Sequence, residues 1–193
     1  MIDREKHDTA VIVSGLPRSG TSMLMSMLAA GGIPALTDRK RPADRHNPNG
    51  YFEHAGATRL THNPDWIREA AGNAVKVISF QLYHLPDNVR CDILFIERSL
   101  AEMLASQRAM LDAPAPLDDR EDRRMAALYE AHLDHVRRWL ASRPNFRTLY
   151  LEHRRVLDDP AAAAEVIAHF LERPLDTQAM AARVDGNLYR QRR

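Results

Sequence analysis

Two glycines and a group of hydroxyl and cationic side chains near the N-terminus have the types and spacing of an anion-binding loop. Gly15 and Gly20 are five residues apart, Arg18 lies between them, and Thr21 and Ser22 follow. A β-branched run precedes the loop and an apolar run follows it, which predicts a strand, a tight turn and a helix. Backbone amides at such a turn and at a helix start favour a phosphate or sulfate group.

The two glycines have the spacing of the nucleotide-binding loop Gly-x4-Gly-Lys-Ser/Thr, but the lysine position holds Thr21. In nucleotide hydrolases that lysine contacts the β- and γ-phosphates, so its replacement counts against ATP or GTP hydrolysis. Arg18 is the nearest cation, and its planar guanidinium suits a pair of phosphate or sulfate oxygens. The loop therefore predicts anion binding without the usual triphosphate chemistry.

Strands and helices alternate along the rest of the chain, which predicts a three-layer, P-loop-type α/β fold with a mostly parallel central sheet flanked by helices. Near-continuous apolar strands are typical of a sheet covered on both faces. After the first strand, further strands are predicted over 74–79, 92–97 and 147–152. Besides the helix after the loop, helices are predicted over 65–71, from Ser99 as a capping box with Glu102, over 119–142, and from Asp159–Pro160.

Two of these helices have apolar residues that are expected to face the core. On the helix over 119–142 they are Met125, Leu128, His132, Leu133, Val136, Trp139 and Leu140. On the last helix they are Val166, Ile167, Phe170 and Leu171. His132 and His135 are interpreted as partly exposed helix residues.

Length and composition indicate one domain over residues 1–193, with its core at about 10–175 and a polar tail from about 176. Lys and Arg number 27 against 26 Asp and Glu, so no overall field favours nucleic acid or an anionic membrane. The single cysteine, Cys91, excludes an internal disulfide and a cysteine-based zinc site, and we interpret it as a packing residue. The charged N-terminus and the lack of a long apolar run favour a cytoplasmic protein with no membrane contact.

A long segment over 33–50 is predicted to be a loop, because it contains three prolines and no clear period. Its cationic and histidine side chains are Arg39, Lys40, Arg41, Arg45 and His46. The four arginine and lysine side chains either draw in an anionic acceptor or belong to a solvated loop.

Two motifs together resemble the sulfotransferase family, whose sulfuryl donor is 3′-phosphoadenosine 5′-phosphosulfate. The first is the loop Pro17-Arg18-Ser19-Gly20-Thr21-Ser22. The second is Arg98 at the end of a predicted strand, with Ser106 eight positions on in the next helix. A weaker likeness is Tyr150-Leu151-Glu152-His153 with Asp158-Asp159-Pro160 and Phe170-Leu171-Glu172.

The resemblance implies roles for these residues. Residues 17–22 would hold the 5′-phosphosulfate, and Arg98 with Ser106 would hold the 3′-phosphate. Arg18 and Lys76 would also neutralise the group in transfer. No metal is expected, because a sulfuryl group carries less charge than the γ-phosphate that Mg²⁺ neutralises in kinases.

Several residues are candidates for the base that accepts the acceptor's proton. One branch of the family has Lys-x-His at its second strand, whereas this chain has Lys76 followed by Val77 and Ile78. Other branches use a glutamate after the first helix, and Glu53 matches that position best. His54 and His84 are alternatives, and so is the absence of any competent base.

The sequence thus favours a sulfotransferase that acts on a hydroxyl or amine of an unidentified small-molecule or saccharide acceptor. A nucleotide-binding pseudo-enzyme without a base is the alternative. A P-loop kinase or NTPase is a further one, for which Glu97 would be the acidic residue near a metal. Leu188-Tyr189-Arg190 is the candidate adenine contact. The oligomeric state is left open.

Overall fold

The computed structural model describes residues 9–44, 47, 50–110 and 119–185 of the chain. The strands are β1 (Ala10–Ser14), β2 (Ala74–Lys76), β3 (Cys91–Glu97) and β4 (Phe146–Glu152). The α-helices are α1 (Thr21–Ala30), α2 (Ala55–Thr58), α3 (Leu100–Met110), α4 (Asp119–Ala141), α5 (His153–Asp158), α6 (Pro160–Leu171) and α7 (Thr177–Ala181). 3₁₀ segments span Pro64–Ala70 and Ser79–His84.

The strands form a parallel sheet in the order β2-β1-β3-β4, which confirms the predicted parallel arrangement. Strand β1 is buried along its whole length, as its apolar β-branched composition predicts. Strand β2 ends at Lys76, earlier than the predicted end at residue 79. The chain nevertheless continues beside β1, because the Val77 and Ser79 amides donate to the carbonyls of Val13 and Gly15, both at 3.0 Å.

Helices cover both faces of the sheet and create two apolar clusters, which gives the predicted three layers. One cluster joins residues of β1, β2 and β3 to α3, α4 and the 3₁₀ segments. The other joins the opposite side of the sheet to α1, α5, α6 and α7. Helix α1 is buried at Leu24, Met25, Met27 and Leu28, as expected of a helix that is apolar on most sides.

Three residues that were expected to face the core are instead exposed. Met125 and Leu128 in α4 are 38% and 57% exposed, and Val166 in α6 is 48% exposed. These three predictions were wrong. The apolar period of a helix identifies the side that faces the core, but it does not determine how far the sheet extends beneath that side.

A short helix, α7, lies in the segment that the sequence suggested to be a polar tail. Asp176 caps it, since its carboxylate accepts a hydrogen bond from the Ala179 amide at 2.8 Å. Met180 is fully buried and packs on Gly31, where an added Cβ would lie 2.6 Å from the Met180 Cγ. Helix α7 therefore holds the C-terminal end of α1. The candidate adenine contact over 188–190 lies outside the described residues, as do Arg45 and His46.

Candidate functional site

The loop between β1 and α1 is compressed against its neighbours at both glycines. Gly15 has a φ of 153°, and a Cβ there would lie 2.5 Å from both the Ile96 carbonyl oxygen and the Ser19 Oγ. Gly20 has a φ of 112°, and its Cβ would lie 2.6 Å from Cδ2 of His153. Both positions therefore require glycine, for conformation and for space.

The start of α1 carries the groups of an anion-binding site. Gly20 is the N-cap residue and no side chain caps the helix, so the first two amides of α1, those of Thr21 and Ser22, have no partner within the helix. The Ser19 hydroxyl is buried and has no hydrogen-bond partner among the described residues. An anion above Thr21 and Ser22 would satisfy such donors and interact favourably with the helix dipole.

Arg18, Arg98 and Ser106, which we call the arginine cluster, come together beside this loop. The Arg18 Nε donates to the Ser106 Oγ at 3.2 Å, and the Arg98 Nη1 donates to the Arg18 carbonyl at 3.2 Å. The Arg98 Nε also donates to Glu102 at 3.2 Å. The side chains of Arg98 and Glu102 are only 9% and 10% exposed. The structure thus brings Arg18 into contact with Arg98, which is 80 positions away in the sequence, and with Ser106, which is 88 positions away.

Burial changes the ionisation of groups near the cluster. It lowers the pKa of Arg18, and the positive charge of Arg98 acts in the same direction. His153 follows β4 and packs against Gly20, and burial lowers its pKa to about 4, with a further contribution from Arg98. The imidazole is therefore neutral at neutral pH and adds no positive charge to the cluster.

Lys76 and Glu53 form an ion pair on the other side of the loop. The Lys76 Nζ lies 3.8 Å from the Glu53 Oε1 and donates a hydrogen bond to the Tyr51 carbonyl. The Ser22 Oγ donates to the same carbonyl at 3.4 Å, so the pair is connected to the start of α1. Burial lowers the pKa of Lys76 to about 8, although Glu53 opposes the change. Glu53 is 40% exposed and also pairs with Arg41 at 3.4 Å.

The other candidate bases lie in different surroundings. The His54 Nδ1 accepts a hydrogen bond from the Gly56 amide at 3.0 Å, and its ring stacks on Trp66 at a centroid distance of 4.6 Å. His54 therefore caps α2 and uses its Nδ1 for that purpose. His84 ends the second 3₁₀ segment.

Residues of the predicted loop over 33–50 also reach the site, and only Arg41 among them was singled out from the sequence, as one of the loop's cations. The Asn47 side-chain amide donates to the Ser22 Oγ at 3.0 Å. The Tyr51 hydroxyl donates to Asp44 at 2.7 Å, and the Arg41 guanidinium lies 3.4 Å from the centre of the Tyr51 ring. These contacts hold one wall of the site next to Glu53.

Other site classes can be assessed within the described part of the chain. No group of three or more His, Cys, Asp or Glu side chains is arranged there to hold a metal ion. No helix there is long and apolar enough to cross a membrane. Cys91 is buried, and burial raises the pKa of its thiol to about 12, which agrees with a packing role.

Three comparisons with known proteins bear on the family and the fold of the chain. The family model described as "Sulfotransferase domain" matches residues 8–187. The sulfotransferase domain of the olefin synthase from Synechococcus PCC 7002 is 17% identical with a TM-score of 0.52, and the alignment covers 94% of this chain and 79% of that one. A sulfotransferase from Alicyclobacillus acidocaldarius is 14% identical with a TM-score of 0.48, over 94% of this chain and 96% of that one. No curated protein matches the sequence significantly.

Proposed function

The chain belongs to the sulfotransferase domain family, and from that premise we propose that it transfers a sulfuryl group from 3′-phosphoadenosine 5′-phosphosulfate to a hydroxyl or amine acceptor. The observation that carries this proposal is the arginine cluster. The Arg18 guanidinium bonds to the Ser106 hydroxyl, and the Arg98 guanidinium bonds to the backbone carbonyl of Arg18 in the anion-binding loop, each at 3.2 Å. Such an arrangement suits a donor with phosphate groups at two separate positions.

The start of α1 and the arginine cluster would bind different groups of the donor. The amides at the start of α1, with the hydroxyls of Ser19, Thr21 and Ser22, would hold the 5′-phosphosulfate. Arg98 and Ser106 would hold the 3′-phosphate. Arg18 contacts Ser106 and would bind the phosphate region between these two parts.

The transfer step needs a cation, an oriented acceptor and a base. A bond forms between the acceptor oxygen or nitrogen and sulfur, while the bond from sulfur to the phosphate oxygen breaks. Lys76 would stabilise the negative charge on the group in transfer, and Thr21 and Ser22 would stabilise the charge that develops on the leaving phosphate. Glu53 would accept the acceptor's proton, and its 40% exposure leaves it accessible to an acceptor.

Thr21 favours this reaction over ATP hydrolysis, because the loop lacks the lysine that contacts the β- and γ-phosphates. Adenosine 3′,5′-bisphosphate, the donor's product, should therefore stabilise the protein more than ATP with Mg²⁺. A ligand at 100 times its Kd adds about 2.7 kcal/mol to the free energy of unfolding. Thermal unfolding with each nucleotide measures the difference. Equal shifts, or no shift from the bisphosphate, would contradict the proposal.

A pair of glycine variants provides the matched control. Gly20 and Gly32 both have positive φ, 112° and 103°, so alanine is strained at either position. An added Cβ meets His153 at position 20 but has nothing within 4 Å at position 32. Gly20→Ala should abolish the shift caused by the bisphosphate, whereas Gly32→Ala should lower the melting temperature and retain the shift.

A further inference from the structure

The two edges of the sheet differ in how the chain covers them. Strand β2 forms one edge and has only three residues. The Leu36 amide donates to the Ala74 carbonyl of β2 at 2.8 Å, and the Ala74 amide donates to the Pro34 carbonyl at 2.9 Å. Strand β4 forms the other edge with seven residues, and no described strand pairs with its outer side. Within the part of the chain that the structure describes, one edge is covered and the other is open.

Strand β4 lacks features that commonly keep an exposed edge from pairing with another chain, namely short length, proline and lysine. Its sequence is Phe-Arg-Thr-Leu-Tyr-Leu-Glu, and the aromatic and β-branched residues favour strand pairing. Only Phe146 and Leu151 are buried, whereas strands of a parallel sheet are normally covered on both faces. Tyr150 is 42% exposed. The strand is therefore suited to pair with a further strand.

An apolar groove lies between β4, α5 and α6, with a volume of about 420 Å³. Its buried apolar side chains are Leu151, Val156 and Ala163. Its charged lining is mainly acidic, with three carboxylates and one guanidinium, which are those of Glu152, Asp158, Asp159 and Arg155. The groove therefore suits a partner that supplies apolar surface together with a positive charge.

One flank of α6 runs along the edge strand. Ala162, Val166 and Phe170 are spaced i, i+4 and i+8, so they share this flank. The first two line the groove, and the Arg147 guanidinium of β4 lies 4.9 Å from the centre of the Phe170 ring. Val166 is 48% exposed and lies midway between a small and a large side chain. The flank is therefore complementary in size to an antiparallel copy of itself.

We propose that this face of the protein binds a second copy of the chain, with the two β4 strands paired antiparallel about a two-fold axis at Leu149. Leu149 is the middle residue of β4, so pairing about it includes all seven residues of each strand. The contact would be isologous, and it would join the two four-stranded sheets into one. This inference is independent of the proposed function.

The pairing places complementary side chains opposite each other. Thr148 of one copy would lie opposite Tyr150 of the other, and a β-branched residue beside an aromatic ring stabilises antiparallel strands. Across the same axis, the two Val166 side chains would meet, and Ala162 of one copy would lie near Phe170 of the other. The exposed apolar side chains of β4 and α6 would thus be covered together.

The charges of the two copies also match. Arg147 of one copy would lie opposite Leu151 of the other, beside the acidic lining of the groove. Arg147 is 49% exposed, although Asp92 and Glu172 of its own copy pair with it. Its exposed part would therefore face carboxylates of the second copy, and the symmetry repeats this contact.

Analytical ultracentrifugation tests the proposal, and a monomer–dimer equilibrium with a Kd of about 10 μM or tighter is expected. Val166→Asp places two carboxylates near the axis and should raise this Kd about 100-fold or more. Leu128→Asp is the matched control, because Leu128 is 57% exposed on α4, on the opposite face of the sheet, and it should leave the Kd unchanged. Both substitutions are at exposed positions, so the melting temperature of each monomer should be retained.

Cysteine substitutions test the register of the paired strands. Leu149→Cys should form a disulfide between copies under mild oxidation, because a residue on the axis lies opposite its own counterpart. Thr148→Cys is the control and should not form one, because it would lie opposite Tyr150. Cys91 is buried and should not react in either variant.

A monomer at every concentration up to about 100 μM would show that something other than a second copy covers the groove, and it would overturn the proposal. A dimer that Val166→Asp leaves intact would place the contact elsewhere, on α4 if Leu128→Asp dissociates it, with the same consequence. A disulfide in Thr148→Cys but not in Leu149→Cys would contradict the pairing about Leu149.

Discussion

The arginine cluster and the Lys76–Glu53 pair lie on two sides of the same loop and differ in how their charges are held. Arg98 is 9% exposed and its guanidinium contacts both Glu102 and the Arg18 carbonyl. Arginine stays charged at every accessible pH, so the cluster is a fixed positive site. Lys76 has a pKa of about 8, so its charge changes just above neutral pH, and its partner Glu53 is 40% exposed. We infer that the cluster binds and that the pair takes part in transfer.

The largest expected effect separates transfer from binding. Glu53→Gln removes the proposed base but keeps the size of the side chain, so turnover should fall about 10³-fold. The Kd for the bisphosphate should stay within about twofold, because the cluster is unchanged. Steady-state kinetics and calorimetry measure the two quantities, with Glu69→Gln as an exposed control. Unchanged turnover would show that Glu53 is not the base, and donor hydrolysis without transfer in the wild type would favour the pseudo-enzyme.

A second prediction concerns His153, beside the arginine cluster, and the way in which the free energy of unfolding depends on pH. Because the folded pKa of His153 is about 4 against an ordinary 6.5, the unfolded chain binds a proton that the folded protein excludes between these values. This contribution to stability is present above pH 6.5 and is lost as the pH falls toward 4, by up to about 3 kcal/mol.

Urea unfolding at several pH values measures this loss. His153→Gln should reduce the decrease in the free energy of unfolding between pH 7 and pH 4, whereas the exposed His169→Gln should leave it as in the wild type. An identical pH dependence in the wild type and His153→Gln would contradict the buried, neutral state of His153.

The Lys76–Glu53 pair should give the reaction an alkaline limit. Lys76 loses its charge as the pH rises through about 8, so turnover at saturating donor should fall about tenfold between pH 7 and pH 9. Lys76→Arg should lower the rate but remove this fall, because arginine remains protonated. A pH–rate profile of both proteins provides the comparison. The same fall in Lys76→Arg would assign it to another group.

The smallest predicted effect lies at the edge of the arginine cluster. Ser106→Ala removes one neutral hydroxyl, so the Kd for the bisphosphate should rise about fivefold while turnover at saturating donor is unchanged. Ser142→Ala, at an exposed hydroxyl that bonds the Trp139 carbonyl, is the control. A fall in turnover at saturating donor would place Ser106 in the transfer step and weaken the distinction between the two regions.

The sequence predicts the arginine cluster better than the rest of the site, for a physical reason. Gly15 and Gly20 define the loop by their spacing, and Arg98 and Ser106 are related by one strand end and the helix that follows. Parallel strands place their carboxyl ends at one edge of the sheet, so these two motifs are expected to lie close together there. The contact between Gly20 and His153 depends on β4 pairing with β3, which the motifs do not encode.

Other features depend on tertiary packing that a periodic pattern does not determine. The apolar period of α4 predicts the helix, but the exposure of Leu128 follows from the length of the helix relative to the strands. The contacts of Asn47 and Asp44 with the site come from an irregular segment without a motif. Helix α7 is too short to show a clear apolar period. Its position depends on a tertiary contact, the packing of the buried Met180 against Gly31.

The most direct test of the account compares adenosine 3′,5′-bisphosphate with adenosine 5′-monophosphate, which lacks the 3′-phosphate, by calorimetric titration. The wild type should prefer the bisphosphate about 100-fold, because Arg98 makes charge-assisted bonds to the additional phosphate. In Arg98→Gln combined with Glu102→Gln, which removes both charges of the buried pair, the preference should fall below about fivefold. Equal affinities in the wild type, or a preference that survives in the double variant, would contradict the assignment of the arginine cluster to the 3′-phosphate.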